Sequence, residues 1–466
     1  MQDLEIDSAL SFGIASGESK TFAYAHHRNS ETEVKLFASV CTQPQPKFQP
    51  KSVDQFDPVR LKLSVNEYSD GTGTQYASEH FKNGVAMPVI LAKNDFYITI
   101  EAPVDIDSDF EGNWNVRIVV TEHQPAKADR DALIWLDTDS NSVLFTTSLI
   151  SAEQNRTPLP YSIFVYADDD LSIVSLRHSY CAMQSGGYIA SDVSSGGGSV
   201  LTDTILGNGT RQLLLAGELE PDLTYRAYLT SPYTALPNAN LGTVHTSMSF
   251  TTSPADESCE IIYDLPFCNG IAYKVPSNSS FTRTELARYY DEVALNYYTG
   301  FDKTLQQVQC DVANTSRYTW LRTCDDCRAS YKNWLCLTTI PRCMSPTTVT
   351  SRSSLKLRQN YTQNRNFNVV WAESSYFELL PCIFTCHSIM QDCPALLDFH
   401  CPLPGRGLLN AYGLLNETQR KGDAFDSHDP ICNFVGNLPV SAAKILGLDI
   451  SLSISIACVV GAMLIM

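Results

Sequence analysis

The residues of this sequence best suited to chemistry are its cysteines. Twelve of the fifteen lie in one stretch: Cys259, Cys268, Cys310, Cys324, Cys327, Cys336, Cys343, Cys382, Cys386, Cys393, Cys401 and Cys432. Thiols can hold zinc, exchange disulfides or crosslink a fold. Cys324 and Cys327 form a C-x-x-C, but Cys336 and Cys343 do not repeat the knuckle that a structural zinc site needs. A thioredoxin-type C-x-x-C follows a strand, opens a helix and has no use for ten further cysteines nearby. An even number at this density instead indicates a disulfide framework made in an oxidising compartment. Six bonds are expected here, and spacing leaves their pairing open among on the order of ten thousand connectivities.

Other chemistries lack their residues. There is no Gly-x-Ser-x-Gly elbow and no His-Glu-x-x-His, and the nine histidines do not cluster. Asp105-Ile-Asp-Ser-Asp109 and Asp137-Thr-Asp-Ser-Asn141 begin like an EF-hand loop, but each lacks the Gly at the sixth position and the Glu at the twelfth. Both read as acidic surface loops, so no metal and no cofactor is expected. Residues 1–256 hold 32 acidic and 16 basic side chains, and the remainder 19 and 17. The N-terminal part is thus an acidic surface that repels nucleic acid and anionic lipid. Neither a nucleic acid nor a small-molecule substrate is expected as a partner.

Strands must carry the N-terminal half. Apolar and polar residues alternate from Val59 to Asn66 and from Trp114 to Thr121, and short strand runs recur at Phe96 to Ile100, Val143 to Thr147, Tyr161 to Tyr166, Arg211 to Ala216, Tyr225 to Thr230 and Met248 to Thr252. With no helical period between them, they predict antiparallel β-sandwiches: an acidic one over 1–125 and a fibronectin-like one over 130–255. Cys41 and Cys181 fall in different sandwiches, as an interdomain bridge or as two buried thiols. After Cys259 the period changes. Leu286, Tyr290, Val293, Tyr297, Phe301, Leu305 and Val308 line one helical face, with Thr282 and Glu285 as a capping box and a break expected near Thr299-Gly300. Further helices are predicted over Tyr318 to Leu337 and Glu378 to Ala395, where Cys324/Cys327 and Cys382/Cys386 share a face and can staple each helix to a neighbour. The fold class is therefore multidomain, with β-sandwiches followed by a disulfide-rich, mainly α-helical domain over 259–435.

Sequons at Asn155, Asn208, Asn278, Asn314, Asn360 and Asn416 agree with secretion. The opening Met-Gln-Asp-Leu-Glu-Ile-Asp has no basic or apolar leader region, so a signal sequence is expected upstream of it. The other end, 441–466, places Ser441-Ala442-Ala443 before a short spacer and an uncharged apolar run from Ile450 to Met466. That order fits a GPI signal with Ser441 as the attachment residue, in preference to a plain membrane anchor.

The intervening residues carry a resemblance. Phe267-Cys268, Tyr273-Lys-Val-Pro-Ser-Asn278, Tyr290-Asp-Glu-Val-Ala294, Cys310-Asp311, Thr323-Cys-Asp-Asp-Cys327, Tyr331-Lys-Asn-Trp-Leu-Cys336, Ile340-Pro-Arg-Cys343, Leu380-Pro-Cys-Ile-Phe-Thr-Cys386 and Asp392-Cys-Pro394 resemble the fungal stretch-activated calcium-channel component family. Phe12-Gly-Ile-Ala-Ser-Gly-Glu18 does so more loosely. The resemblance implies a Frizzled-like cysteine-rich domain, similar to that of the ectodomain subunit of the animal sodium-leak channel. It also implies a non-enzymatic extracellular accessory subunit at the plasma membrane, reached through the endoplasmic reticulum. Its implied partner is the pore-forming subunit of a four-repeat, voltage-gated-like calcium channel, whose calcium influx it supports. A GPI-anchored adhesion glycoprotein of the cell surface or wall is the alternative.

Overall fold

The computed structural model describes residues 2–26, 30–47, 59–68, 74–104, 110–123, 128–129, 132–150, 159–205, 209–236, 239–309, 321–344, 355–358, 370–414 and 432–435. Burial of every second side chain in Phe96–Glu101 puts Phe96, Ile98 and Ile100 on one face. That strand lies between Ser19–Tyr24 and Lys62–Glu67, in a sheet completed by Gln2–Leu4 and Gln75–His80. Ile98 sits opposite Phe22 on one side and Val65 on the other. A second sheet sets Trp114–Thr121 between Ala9–Ile14 and Thr32–Thr42, whose far edge carries Val85–Ala86 and Val89–Ala92. The two sheets share one core, in which Ile14, Val34, Leu36, Leu63, Ile98 and Ile118 are at most 1% exposed.

A second pair of sheets follows. One orders Leu133–Thr138, Val143–Thr147, Arg211–Ala216 and Gly198–Thr202; the other orders Ala190–Ser191, Ser162–Ala167, Thr224–Pro232 and Gly242–Thr251. Ile163-Phe164-Val165-Tyr166 is a continuous apolar run, and its burial explains why. Ile163 and Val165 face this unit's own core with Phe145, Leu214 and Phe250. Phe164 and Tyr166 point the other way and join the core of the first two sheets with Ile173, Leu176 and Met183. A strand covered on both faces has no polar side to alternate with.

The seam between these units corrects the all-strand expectation. Two short helices lie there, α1 (Leu171–Val174) and α2 (Tyr180–Gln184). Each is too short to show a 3.6-residue period, and side chains hold them. The Asp170 carboxylate accepts from Ser172 N, and the Ser179 hydroxyl accepts from Ala182 N while donating to Val40 O at 2.8 Å. Cys181 of α2 bonds Cys41 with a Cα separation of 4.9 Å, so these two cysteines form a bridge between units. Gly84 makes the approach possible: its φ is +87°, and a Cβ there would meet Leu176 Cα at 2.9 Å.

Asp192 lies buried at the strand Ala190–Ser191, where one carboxylate oxygen accepts from Ile163 N at 2.9 Å. Burial pushes its pKa up to about 6 from an ordinary 3.8. Between those values the folded state binds more protons than the unfolded, so stability falls as pH rises through this window and stays lower above it. Asp192→Asn keeps the acceptor and removes the charge. We expect it to raise unfolding stability by up to about 3 kcal/mol near neutral pH and to change nothing below about pH 4. Urea unfolding at the two pH values checks this, and a pH-independent difference would count against it.

The C-terminal unit mixes helices with two small sheets and so is less helical than expected. A hairpin pairs Cys259–Ile262 with Tyr273–Pro276, and a three-stranded sheet orders Arg342–Met344, Tyr376–Leu379 and Leu355–Arg358. Around them lie α3 (Arg283–Leu305), α4 (Cys324–Thr339), α5 (Ile383–Asp392) and α6 (Arg406–Ala411). The capping box of Thr282 and Glu285 opens α3. The predicted break at Thr299-Gly300 does not occur. The Thr299 hydroxyl donates to Asn296 O within the helix, and an open-surface glycine costs a helix only about 1 kcal/mol. α4 begins at Cys324 because Thr323 and Asp326 form a second capping box. The helix predicted from Glu378 starts only at Ile383, since Pro381 interrupts it and Glu378 belongs to a strand, paired with Arg358 at 2.6 Å.

Candidate functional site

α4 is the spine of the cysteine-rich unit. Cys327 and Cys336 stand nine positions apart, which at about 100° per residue places them on opposite sides of the helix. Cys336 bonds Cys268 beside the hairpin, and Cys327 bonds Cys393 at the end of α5. The helix is thereby clamped from both sides. Cys382–Cys432 and Cys386–Cys401 fix the start and middle of α5, and Cys259–Cys343 joins the hairpin to the three-stranded sheet. Cys324 is also disulfide-bonded, and Cys310 lies outside the described residues.

The motif segments touch one another around α3. Asp291 accepts from Phe267 N at 2.9 Å and Cys268 N at 2.7 Å, so one carboxylate holds the turn that presents Cys268. Tyr290, fully buried, donates to Pro276 O and accepts from Val370 N. Burial raises its phenol well above the usual range. Further along, the Phe301 and Tyr331 rings stack with centroids 3.6 Å apart, in a cluster with Tyr298, Trp334 and Phe399. The predicted stripe departs at Tyr297, which is 44% exposed, while Tyr298 turns inward. The reason is a change of neighbour: Leu286, Tyr290 and Ala294 pack on the hairpin, whereas Phe301 and Leu305 pack with Cys324 and Cys327 of α4.

The Asp137–Asn141 segment also differs from expectation. Its Asp137 and Asp139 form a buried lock between the second pair of sheets and the cysteine-rich unit, while Asn141 is exposed. Asp139 is 1% exposed. Its Oδ1 accepts from Asn141 N, Ser142 N and the Ser142 hydroxyl, and its Oδ2 from Ile261 N at 3.0 Å. Arg283 of α3 lies 3.6 Å from the same oxygen. Asp137 pairs with Arg342 at 3.2 Å and accepts from Lys274 N. The Lys274 ammonium, buried in its strand, donates to Glu257 at 2.8 Å and to Ser253. These carboxylates are saturated by protein donors, and among the described residues no His, Cys, Asp and Glu grouping could hold a metal ion. Sequence reasoning missed this lock, although an Asp inside the strand Leu133–Thr138 and a Lys inside Tyr273–Pro276 were its signals. Asp105–Asp109 lies outside the described residues.

Of the predicted glycan sites, Asn278 is described, at the end of the hairpin; Asn155, Asn208, Asn314, Asn360 and Asn416 are outside the described residues, as is Ser441. No helix among the described residues is long and apolar enough to cross a membrane.

The cysteine-rich unit is thus held by disulfides on two sides of α4, and its motifs can be set beside those of known proteins. Residues 33–438 match the family described as Mid1, the stretch-activated Ca2+-permeable channel component. The chain is 35% identical over 410 residues to the stretch-activated cation channel yam8 of Schizosaccharomyces pombe, an alignment covering 83% of this chain and 80% of that one. It is 29% identical over 374 residues to the stretch-activated cation channel MID1 of Saccharomyces cerevisiae, covering 73% and 66%. With MID1 of Cryptococcus neoformans the identity is 23% over 223 residues, covering 41% and 35%. The chain belongs to the family of stretch-activated Ca2+-permeable channel components.

Proposed function

We propose that this chain is a non-enzymatic, extracellular accessory subunit of a plasma-membrane calcium channel. It binds the pore-forming, four-repeat subunit and supports calcium influx, including influx driven by stretch. The disulfide frame is the observation that carries the reading. Bonds of this number are typical of an oxidising compartment, which supports a lumenal and then extracellular position for the chain. A unit clamped at Cys268–Cys336 and Cys327–Cys393 keeps its shape without a ligand, as a binding surface must if association is not to be spent on ordering it. Its helices with crossing disulfides support the Frizzled-like assignment. Its membrane attachment is a GPI anchor at Ser441, added as the apolar tail that follows is removed.

Affinity purification of the tagged chain from solubilised membranes tests this. We expect a four-repeat cation-channel polypeptide to co-purify, loss of calcium uptake on deletion of the gene, and release of the chain by an anchor-cleaving phospholipase. Recovery of wall glucan or wall proteins alone, with calcium uptake intact in the deletion strain, would favour the adhesion reading and overturn this one.

A further inference from the structure

Asn278 borders a polar cleft of about 380 Å³, within the range that small-molecule sites occupy. The cleft is walled by two parts of the chain. Ser140 and Asn141 come from the second pair of sheets, while Ser258, Ser279 and Glu373 come from the cysteine-rich side. Hydroxyl, amide and carboxylate groups line it, the partners that sugar hydroxyls use. We propose that Asn278 carries an N-linked glycan whose first sugars lie in this cleft and bridge the two units. The inference rests on the extracellular reading above.

The amide of Asn278 is arranged to keep its protein contacts when modified. Its Oδ1 accepts from Ser280 N at 2.9 Å, and its Nδ2 donates one hydrogen to Trp371 O at 3.0 Å. Nδ2 carries two hydrogens, so one remains for substitution. Attachment uses a lipid-linked oligosaccharide pyrophosphate as donor. Nδ2 forms a bond to the anomeric carbon as the bond from that carbon to pyrophosphate breaks; the pyrophosphate leaves with the electron pair and the displaced amide proton passes to solvent. Order of synthesis favours this. Trp371 enters the chain 93 residues after Asn278, so the amide is free of that contact when a glycan is transferred during synthesis. The segment around Trp371 then closes beside the sugar. There Glu373 accepts from Ser279 N at 3.0 Å and from its hydroxyl, and Ser374 N donates to the Ser258 hydroxyl.

The test uses the full-length protein purified from solubilised membranes of its own cells, with mass spectrometry of glycopeptides and the rate of peptide N-glycanase release from Asn278. We expect Asn278 to be occupied, and release from the native protein to be slower than from reduced, denatured protein by about tenfold or more, as for a group freed only by local opening. Asn141→Trp puts an indole on the cleft wall that comes from the second pair of sheets, at an exposed residue whose hydrogen bonds run through the backbone. It should leave occupancy unchanged and bring native release close to the denatured rate. Asn278→Gln supplies the unglycosylated control, its fold verified by an unchanged disulfide map. An empty Asn278 with other sequons filled overturns the inference and leaves the extracellular reading standing; six empty sequons overturn both. Equal native and denatured rates, or no acceleration in Asn141→Trp, place the sugar outside the cleft and also overturn it.

Discussion

Asp139→Ala lowers unfolding stability by about 3–5 kcal/mol, the range for removing one partner of a buried charged network. Three donors on one carboxylate oxygen and Ile261 N on the other lose their acceptor together. Arg283 keeps Glu260 at 3.6 Å and its bond to the Ser142 hydroxyl, but loses the carboxylate that faced it from the other unit. Burial already pushes the Glu260 carboxyl up against the pull of Arg283, so Glu260 is a poor substitute. Asp139→Asn is expected to lie between wild type and alanine, at about 1–3 kcal/mol, because its amide oxygen still serves Ser142 while its NH2 group confronts Ile261 N. Urea unfolding measures the size, and limited proteolysis should place the first new cut near residues 253–258, where the two units join. A loss under about 1 kcal/mol for the alanine variant would show that water reaches the lock and that it does not hold the units together.

How far the sequence carried this picture depends on whether each signal was local. The strands Trp114–Thr121 and Val143–Thr147, the capping box at Thr282 and the helical spacing of Leu286, Tyr290 and Phe301 were all legible, because periodicity and caps are properties of neighbouring residues. The family was legible in motifs around the cysteines, whose contacts, such as Asp291 to Cys268 N, now give those motifs a physical reason. Asp137 and Asp139 were not legible. A short acidic segment has the same composition whether it meets water or meets Arg283, Arg342 and Ile261 from more than a hundred residues away. Glu378 was misplaced for the same reason, since its partner Arg358 lies on a neighbouring strand. α1 and α2 were missed because only packing at the seam between units makes four- and five-residue helices stable.

The bond Cys268–Cys336 should matter more than Cys386–Cys401. The first closes a loop of 68 residues and the second one of 15. Chain entropy then assigns about 4 kcal/mol to the former and about 3 kcal/mol to the latter. Position widens the gap. Cys336 fixes the C-terminal half of α4 to the hairpin, on the face opposite Cys327, so without it the helix is held from one side only. The hairpin in turn carries Lys274 and, through Ile261 N, one side of the Asp139 lock, so slack at Cys268 reaches the junction with the second pair of sheets. Cys386–Cys401 ties α5 to the segment just after it and closes no such circuit. Replacing both members of each pair by serine avoids a stray thiol. We expect Cys268→Ser with Cys336→Ser to be retained in the secretory pathway with loss of calcium uptake, and Cys386→Ser with Cys401→Ser to retain more of both. Thermal unfolding and surface labelling of the two variants decide it. If the short-loop variant is the less stable, the clamp on α4 is not the support of this unit, and its rigidity must come from the aromatic cluster around Phe301 and Tyr331.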